Sequence, residues 1–154
     1  MLLKLKFYRK PFYATSIGYV MSSYVTEQYD LITSVPSTKK RTKRKGYNPS
    51  RLIAEQIERI REIPYREVLI KTKETPAQST LPFKARLTNL KNAFSVKENT
   101  TVSNLKILLI DDIYTTGSTV NECAKTLKKA GADVVDVLTF AMTDRRIKSI
   151  KGNK

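Results

Sequence analysis

The stretch KILLIDDIYTTGST, residues 106–119, decides the fold of this chain. Its first five residues, Lys106 to Ile110, form a Leu- and Ile-rich run that is typical of a strand buried on both faces of a parallel sheet. Asp111 and Asp112 are expected to end this strand. A short spacer then leads to a turn of hydroxyl residues around Gly117, which is expected to open a helix.

Apolar spacing predicts three helices around this strand. The first covers residues 12–28, after Pro11; its apolar positions are Tyr13, Ile17, Val20, Met21, Tyr24 and Val25. The second has Asn48 as its N-cap and Pro49 as its first residue, and is expected to run to Glu62. The third follows the hydroxyl turn and ends at a left-handed Gly131. Its buried face consists of Val120, Cys123, Ala124 and Leu127, so Cys123 is assigned to packing alone.

Short apolar runs predict the remaining strands, which are Leu31 to Val35, Val68 to Ile70, Phe94 to Val96 and Val134 to Phe140. Strands that alternate with helices indicate an α/β fold with a mostly parallel sheet flanked by helices on both faces. Ligands of such folds bind beyond the carboxyl ends of the strands, which makes the loop after Ile110 the candidate site. Without an internal repeat or a low-complexity linker, residues 1–154 are expected to form one domain.

Composition narrows the function classes. The 154 residues include 29 Lys and Arg against 14 Asp and Glu, a net charge of +15, with no histidine and one cysteine. The chain therefore cannot use Ser-His-Asp or Cys-His catalysis, histidine-ligated metals, a zinc knuckle or an internal disulfide. The positive charge favours polyanionic partners. No apolar run is long enough for a membrane span and the amino terminus lacks a signal-peptide core, so a cytoplasmic protein without membrane insertion is expected.

The hydroxyl turn has the chemistry of a phosphate site. The start of a helix carries unpaired N–H groups and positive dipole character, and Gly117 lets the backbone approach a phosphate closely. Two carboxylates would repel a bare phosphate, so Asp111 and Asp112 are expected to meet ribose hydroxyls or Mg²⁺. The alternative is that the acids only end a strand and that Ser118 or Thr119 only caps a helix. No GxxxxGK[ST] or GxGxxG motif offers another nucleotide site.

The whole segment from Ile107 to Thr119 resembles the phosphoribosyl pyrophosphate (PRPP) motif of type I phosphoribosyltransferases. Two further stretches are similar to the ComF family of late-competence proteins, a phosphoribosyltransferase-like branch. Val35-Pro36 followed by Lys45-Gly46-Tyr47-Asn48 resembles "VP…RGFN", with Lys and Tyr replacing the usual Arg and Phe. The segment from Thr75-Pro76-Ala77-Gln78 through Leu81, Arg86, Asn89 and Ala93-Phe94 resembles "TPxQ…L…R…N…AF".

The resemblance implies a type I phosphoribosyltransferase fold and a role for each part of the site. Asp111 and Asp112 would be the catalytic acids facing the ribose hydroxyls, and Mg²⁺ would accompany PRPP. The 5′-phosphate would be bound by Thr115, Thr116, Gly117, Ser118 and Thr119. Pyrophosphate would be bound by Ser37, Thr38, Lys39 and Arg86; Arg86 could equally be a surface charge. Many members carry an amino-terminal four-cysteine zinc ribbon. This sequence lacks one, either because it is a short member or because the ribbon has been removed, so no zinc is expected.

The segment from Lys39 to Lys45 carries six cations in seven positions and no acid. It is a candidate surface for single-stranded nucleic acid, in which Tyr47 could stack on a base. The nucleic-acid residues are Lys40, Arg41, Lys43, Arg44, Lys45 and Tyr47. A solvated basic loop and a nuclear-localisation signal are the alternatives.

The expected function is that of a PRPP-binding competence protein that assists the handling of single-stranded DNA during natural transformation, with a competence helicase as a candidate partner. The alternatives are a small-molecule phosphoribosyltransferase with an unknown acceptor and a PRPP-sensing regulator without catalysis. The sequence leaves open whether PRPP is turned over, because no base-binding pocket can be identified. It indicates nothing about the oligomeric state.

Overall fold

The computed structural model describes residues 12–38, 42, 46–72 and 90–142. In chain order its elements are α1 (Phe12–Ser22), β1 (Leu31–Ser34), α2 (Pro49–Arg61), β2 (Leu69–Lys71), β3 (Phe94–Val96), β4 (Lys106–Tyr114), α3 (Ser118–Lys129) and β5 (Val134–Met142). None of the helices in these ranges is long and apolar enough to cross a membrane.

The central sheet is parallel, as predicted. Its strand order is β1-β4-β5, so the motif-bearing strand β4 lies in the middle with a parallel neighbour on each side. β2 and β3 form a separate two-stranded antiparallel sheet. The register of β1 places Ser34 opposite Ile110, so β1 ends one residue before Asp111.

Both faces of the central sheet are covered, because successive side chains of a strand point to opposite faces. Ile107 and Leu109 of β4 pack in one cluster with α3, whose buried residues there are Val120, Cys123 and Leu127. Leu108 and Ile110 pack in the other cluster with α1 and α2, which contribute Ala14, Met21, Ile53, Ala54 and Ile57. The Leu- and Ile-rich run of β4 is therefore completely enclosed.

The α1 helix is shorter than predicted, and its predicted apolar face is only partly confirmed: Met21 and Val25 are buried and Ile17 packs against the core. It ends at Ser22 instead of running to residue 28. The hydroxyls of Ser22 and Ser23 donate to carbonyls three residues earlier, which competes with continuation of the helix. Tyr13, Val20 and Tyr24, predicted to be on the core side, are exposed; the buried residues of α1 are Ala14, Gly18, Met21 and Ser22.

A glycine brings α1 close to α2. A Cβ atom on Gly18 would lie 2.6 Å from Cβ of Gln56 and 2.9 Å from the carbonyl oxygen of Ile53. Both distances are shorter than real contacts of a Cβ atom allow, so the two backbones approach in a way that only glycine permits. This close crossing packs α1 and α2 tightly over one side of the core.

Strand β4 does not end at the two aspartates. It continues through Asp111 and Asp112 to Tyr114, because β5 pairs with it as far as Tyr114 opposite Met142. The prediction that the acids terminate the strand is therefore wrong, and β5 likewise extends two residues beyond the predicted Phe140. Backbone pairing with β5, which continues past the two acids, outweighs the low strand propensity of aspartate.

The ends of α2 and α3 confirm the predicted boundaries to within a residue. Asn48 occupies the N-cap position of α2, but its side chain makes no capping hydrogen bond and donates instead to the carbonyl oxygen of Val35 at 3.0 Å. After α3, Gly131 has a φ of 97°. Its N–H donates to Lys128 and the N–H of Ala132 donates to Leu127, which is the bonding pattern of a Schellman motif.

Candidate functional site

Asp111 occupies a buried position at the carboxyl end of the central sheet. Its side chain is 8% exposed. The hydroxyl of Ser50 donates to its Oδ1 at 2.9 Å, and the backbone N–H of Asp112 donates to the same oxygen at 2.9 Å. Since β1 has already ended, the space beside Asp111 on that side is taken by the start of α2.

The environment of Asp111 disfavours its negative charge. Burial raises its pKa from 3.8 to about 7, and the charge of Asp112 adds to the increase, whereas the hydrogen bond from Ser50 lowers it. A carboxyl group of this kind gains most from a ligand that donates hydrogen bonds or brings positive charge. The predicted pairing of the two acids with hydroxyls or a cation is therefore chemically consistent with the geometry.

The turn after β4 forms an anion-binding geometry at the start of α3. Gly117 is the N-cap with a φ of 73°, and its carbonyl accepts from the N–H of Asn121. The hydroxyls of Thr116 and Ser118 are 2.7 Å apart, whereas Thr116 Oγ1 lies 3.4 Å from the backbone nitrogen of Ser118, which is long for a hydrogen bond. The first N–H groups of a helix have no partner within it, so those of α3 can bind an anion.

Gly117 is required at its position for two reasons. Its positive φ is strained for residues with a side chain, and a Cβ atom there would lie 2.3 Å from the hydroxyl oxygen of Tyr114. The ring of Tyr114 packs against the cluster that α3 covers. The turn is thus held between the end of β4 and the first turn of α3.

The loop after β1 lies beside this site. The N–H of Val35 donates to the carbonyl oxygen of Ile110 at 2.9 Å, which ties the loop to β4 immediately before Asp111. In the same loop, the hydroxyl oxygen of Ser37 is buried without a hydrogen-bond partner among the described residues. Thr38 follows, and its carbonyl accepts from the N–H of Thr42. Ser37 and Thr38 are therefore close in the chain to the strand ends that form the site.

Several predicted site residues lie outside the described residues: Lys39, Lys40, Arg41, Lys43, Arg44, Lys45 and Arg86. Tyr47 is described; it is half-buried, and burial raises the pKa of its phenol. Among the PRPP-motif residues, Gly117 and Ser118 are buried, and Thr115, Thr116 and Thr119 are half-buried. The assigned roles of all these residues stay predictions.

The sequence did not point to Ser50, and it predicted a capping role for Asn48 and a place in the ComF-like stretch but no contact with Val35. The signal in the sequence, Asn-Pro-Ser at a helix start, is typical of a cap and says nothing about a partner 61 residues away. The assignment of Cys123 to packing is consistent with the structure, since its side chain is fully buried. Burial raises the pKa of this thiol well above its usual value, the charge of Asp111 adds to the increase, and Lys71 opposes it.

Among the described residues, no group of three or more Asp, Glu, Cys or His side chains could hold a metal ion. Asp111 and Asp112 alone would give Mg²⁺ an incomplete set of ligands. Mg²⁺ is commonly bound by one or two carboxylates together with substrate phosphates, so the acid pair fits an ion that arrives with a phosphorylated ligand.

Comparison with known proteins identifies relatives of this chain. The chain is 38% identical over 114 residues to Competence protein F of Haemophilus influenzae, a match that covers 73% of this chain and 50% of the relative. The chain is a homologue of the ComF competence proteins. It is also 36% identical over 115 residues to the DNA utilization protein YhgH of Escherichia coli K12, covering 74% of this chain and 50% of that protein. This ComF homologue thus spans about half the length of these relatives.

A shorter segment of this ComF homologue is still more similar to Competence protein ComFC of Streptococcus pneumoniae, with 53% identity over 49 residues, or 32% of this chain and 21% of the relative. No protein-family model matches the chain. The resemblance to ComF proteins found in the sequence is therefore confirmed by its relatives.

Solved structures confirm the fold. Adenine phosphoribosyltransferase from Thermoanaerobacter pseudethanolicus superimposes with a TM-score of 0.57 at 16% identity, covering 90% of this chain and 74% of that one. The glutamine PRPP amidotransferase from B. subtilis, complexed with ADP and GMP, superimposes with a TM-score of 0.58 at 20% identity, covering 82% of this chain and 26% of that one. The ComF homologue has the type I phosphoribosyltransferase fold, with a parallel sheet flanked by helices.

Proposed function

We propose that the chain binds PRPP together with Mg²⁺ at the carboxyl end of β4. The observation that carries the proposal is the buried carboxyl of Asp111 on β4, the strand that leads through a short turn to a left-handed Gly117 at the start of α3. A site with an acid pair on one side and free helix N–H groups on the other suits a ligand with hydroxyls at one end and a phosphate at the other. A phosphorylated ribose has this distribution of groups.

The ribose hydroxyls would donate to the carboxylates of Asp111 and Asp112, and the 5′-phosphate would accept from the N–H groups and hydroxyls of residues 115–119. The pyrophosphate would lie against the loop after β1, where the buried hydroxyl of Ser37 would gain a hydrogen-bond partner.

If the bound PRPP reacts, pyrophosphate leaves the anomeric carbon as an acceptor attacks it. Positive charge develops on the sugar ring in the transition state, and the two carboxylates beside the ribose would stabilise it electrostatically. Mg²⁺ bound with PRPP would neutralise charge on the departing pyrophosphate. Neither part of this process needs a histidine, which the chain lacks.

Calorimetry with Mg²⁺ and PRPP tests the proposal. Asp111→Asn/Asp112→Asn is expected to weaken PRPP binding at least about tenfold, or about 1.4 kcal/mol, because two acceptors of the ribose hydroxyls lose their charge. Asp133→Asn, at an exposed aspartate far along the chain, is the matched control and should bind as the wild type does. Unchanged affinity in the double variant, measured on folded protein, would refute the assignment.

We further propose that this PRPP-binding protein handles single-stranded DNA in the cytoplasm during natural transformation, with a competence helicase as partner. Two observations favour DNA. The net charge of +15 exceeds what a small phosphorylated substrate requires, and the relatives are named as competence and DNA utilization proteins. The surface proposed for DNA is the basic segment from Lys39 to Lys45, with Tyr47 beside it.

Salt dependence tests the DNA surface. About four phosphate contacts to a single strand would give a slope of log affinity against log salt near −3, since each contact contributes about 0.7. Replacing the cations of the segment 39–45 by Gln should flatten this slope and leave sequence preference unchanged, because phosphate contacts carry no base information. A substituted protein that retains both its affinity and its slope would exclude this surface.

Pyrophosphate release separates the competing functions. A small-molecule phosphoribosyltransferase would release pyrophosphate from PRPP only with its own acceptor, and a PRPP sensor would release none. Release that depends on added single-stranded DNA would support a coupled role. Once PRPP binding is established, release that depends on DNA therefore separates the coupled role from the other two functions.

A further inference from the structure

The first turn of α2 contacts both halves of the proposed site. Asn48, at its N-cap, donates its side-chain N–H to the carbonyl oxygen of Val35 at 3.0 Å. Ser50, two residues later, donates its hydroxyl to Asp111 Oδ1 at 2.9 Å. One of these bonds reaches the loop after β1 and the other reaches the acid of β4, so a single helical turn connects them.

The geometry of Asp111 depends on the bond from Ser50. Both hydrogen bonds to its carboxylate, from Ser50 and from the N–H of Asp112, go to Oδ1. Two donors on one oxygen fix the plane of the carboxylate and direct Oδ2 to a definite position. Ser50 is itself buried, with 4% of its surface exposed, so solvent does not compete for its hydroxyl.

The Asn48 side chain holds the loop after β1 through a hydrogen bond, as Ser50 holds the carboxylate of Asp111. An N-cap residue ordinarily bonds the N–H groups of its own helix, but this one bonds a carbonyl 13 residues earlier in the chain. Its target, Val35, is also bonded to Ile110 through its N–H. The loop is thus held between β4 and the start of α2.

We propose that Ser50 and Asn48 are positioning residues that hold the ribose-binding and pyrophosphate-binding parts of the site in fixed positions relative to each other. The proposal rests on PRPP being the ligand. Ser50 orients the carboxylate that receives the ribose hydroxyls, and Asn48 orients the loop that receives the pyrophosphate. Neither residue needs to touch the ligand.

Binding of PRPP, ribose 5-phosphate and inorganic pyrophosphate tests the two roles separately. The affinity for each ligand is measured by calorimetry with Mg²⁺ on the whole chain. Ser50→Ala should weaken PRPP and ribose 5-phosphate about tenfold and leave inorganic pyrophosphate unchanged. Asn48→Ser, which keeps a good N-cap but is too short to reach Val35, should weaken PRPP and pyrophosphate and leave ribose 5-phosphate unchanged. Ser16→Ala, at an exposed serine of α1, is the matched control and should change none of the three.

A double-mutant cycle tests whether Ser50 acts through Asp111. In the Asp111→Ala background, which has no side-chain acceptor for the Ser50 hydroxyl, Ser50→Ala should weaken PRPP binding much less than it does in the wild type. Additive effects would overturn the proposal. So would a Ser50→Ala variant that binds like the wild type, or one that loses all three ligands equally together with its stability. If the wild type binds none of the ligands, the proposed function itself fails; if it binds PRPP and the variants do not separate the ligands, only the positioning role fails.

Discussion

Replacing Asp111 by asparagine is expected to stabilise the folded chain at neutral and alkaline pH. The carboxyl of Asp111 has a pKa raised from 3.8 to about 7, with burial as the main cause. The folded state therefore holds this proton more tightly than the unfolded state does. The free energy of unfolding consequently falls as pH rises from about 4 to about 7, where the folded chain must bury a charge that the unfolded chain exposes to water.

The size of this change in the free energy of unfolding follows from the pKa shift of Asp111. About three units, at about 1.4 kcal/mol per unit, correspond to as much as about 4 kcal/mol over the whole range. Between about pH 5 and pH 8 the wild type should lose about 2–3 kcal/mol relative to Asp111→Asn, whose amide does not titrate. Asparagine retains the acceptor oxygen for Ser50 and for the N–H of Asp112, so the substitution leaves both hydrogen bonds possible.

Urea unfolding at a series of pH values measures this difference in the free energy of unfolding. A shift of the urea midpoint with an unchanged m-value reports a change in stability. Asp133→Asn is the matched control, because Asp133 is exposed and its replacement should change the free energy of unfolding by less than about 0.5 kcal/mol. Parallel stability curves for the wild type and Asp111→Asn would show that the buried charge is not destabilising and would refute the reasoning. The expected result would also show that loss of PRPP binding in the variant does not arise from unfolding.

Three further predictions concern packing. Gly18→Ala gains about 0.5–1 kcal/mol of helix propensity but forces α1 away from α2, so a net loss of about 1–2 kcal/mol in thermal or urea unfolding is expected, whereas Ser16→Ala should be neutral or stabilising. A Gly18→Ala chain as stable as the wild type would contradict the close helix crossing. Gly117→Ala combines a strained φ with a collision against the hydroxyl of Tyr114 and should reduce both stability and phosphate affinity; unchanged affinity for inorganic phosphate would show that the turn tolerates a side chain. The thiol of Cys123, fully buried and with a raised pKa, should react with a thiol reagent only in urea, and rapid reaction of the native chain would contradict its burial.

The sequence by itself determined the central strand, the turn that resembles the PRPP motif, and the alternation of helices and strands. These features depend on local signals: a run of four apolar residues from Ile107, a glycine with φ above zero at Gly117, and a left-handed Gly131 after α3. Each signal acts within a few residues of chain, so its physical cause is already present in the sequence. The family resemblance depended on the same local stretches, and the relatives confirmed it.

Only the tertiary structure decided where β4 ends and what surrounds its acids. Asp111 and Asp112 are poor strand residues, yet they continue the strand because β5 supplies backbone partners as far as Met142. The bond between Ser50 and Asp111 joins residues 61 positions apart, and it forms because β1 ends at Ser34 and leaves the adjoining space to the start of α2. Hydrogen bonds between distant segments depend on how strands and helices pack together, and no local pattern of residue types specifies that packing.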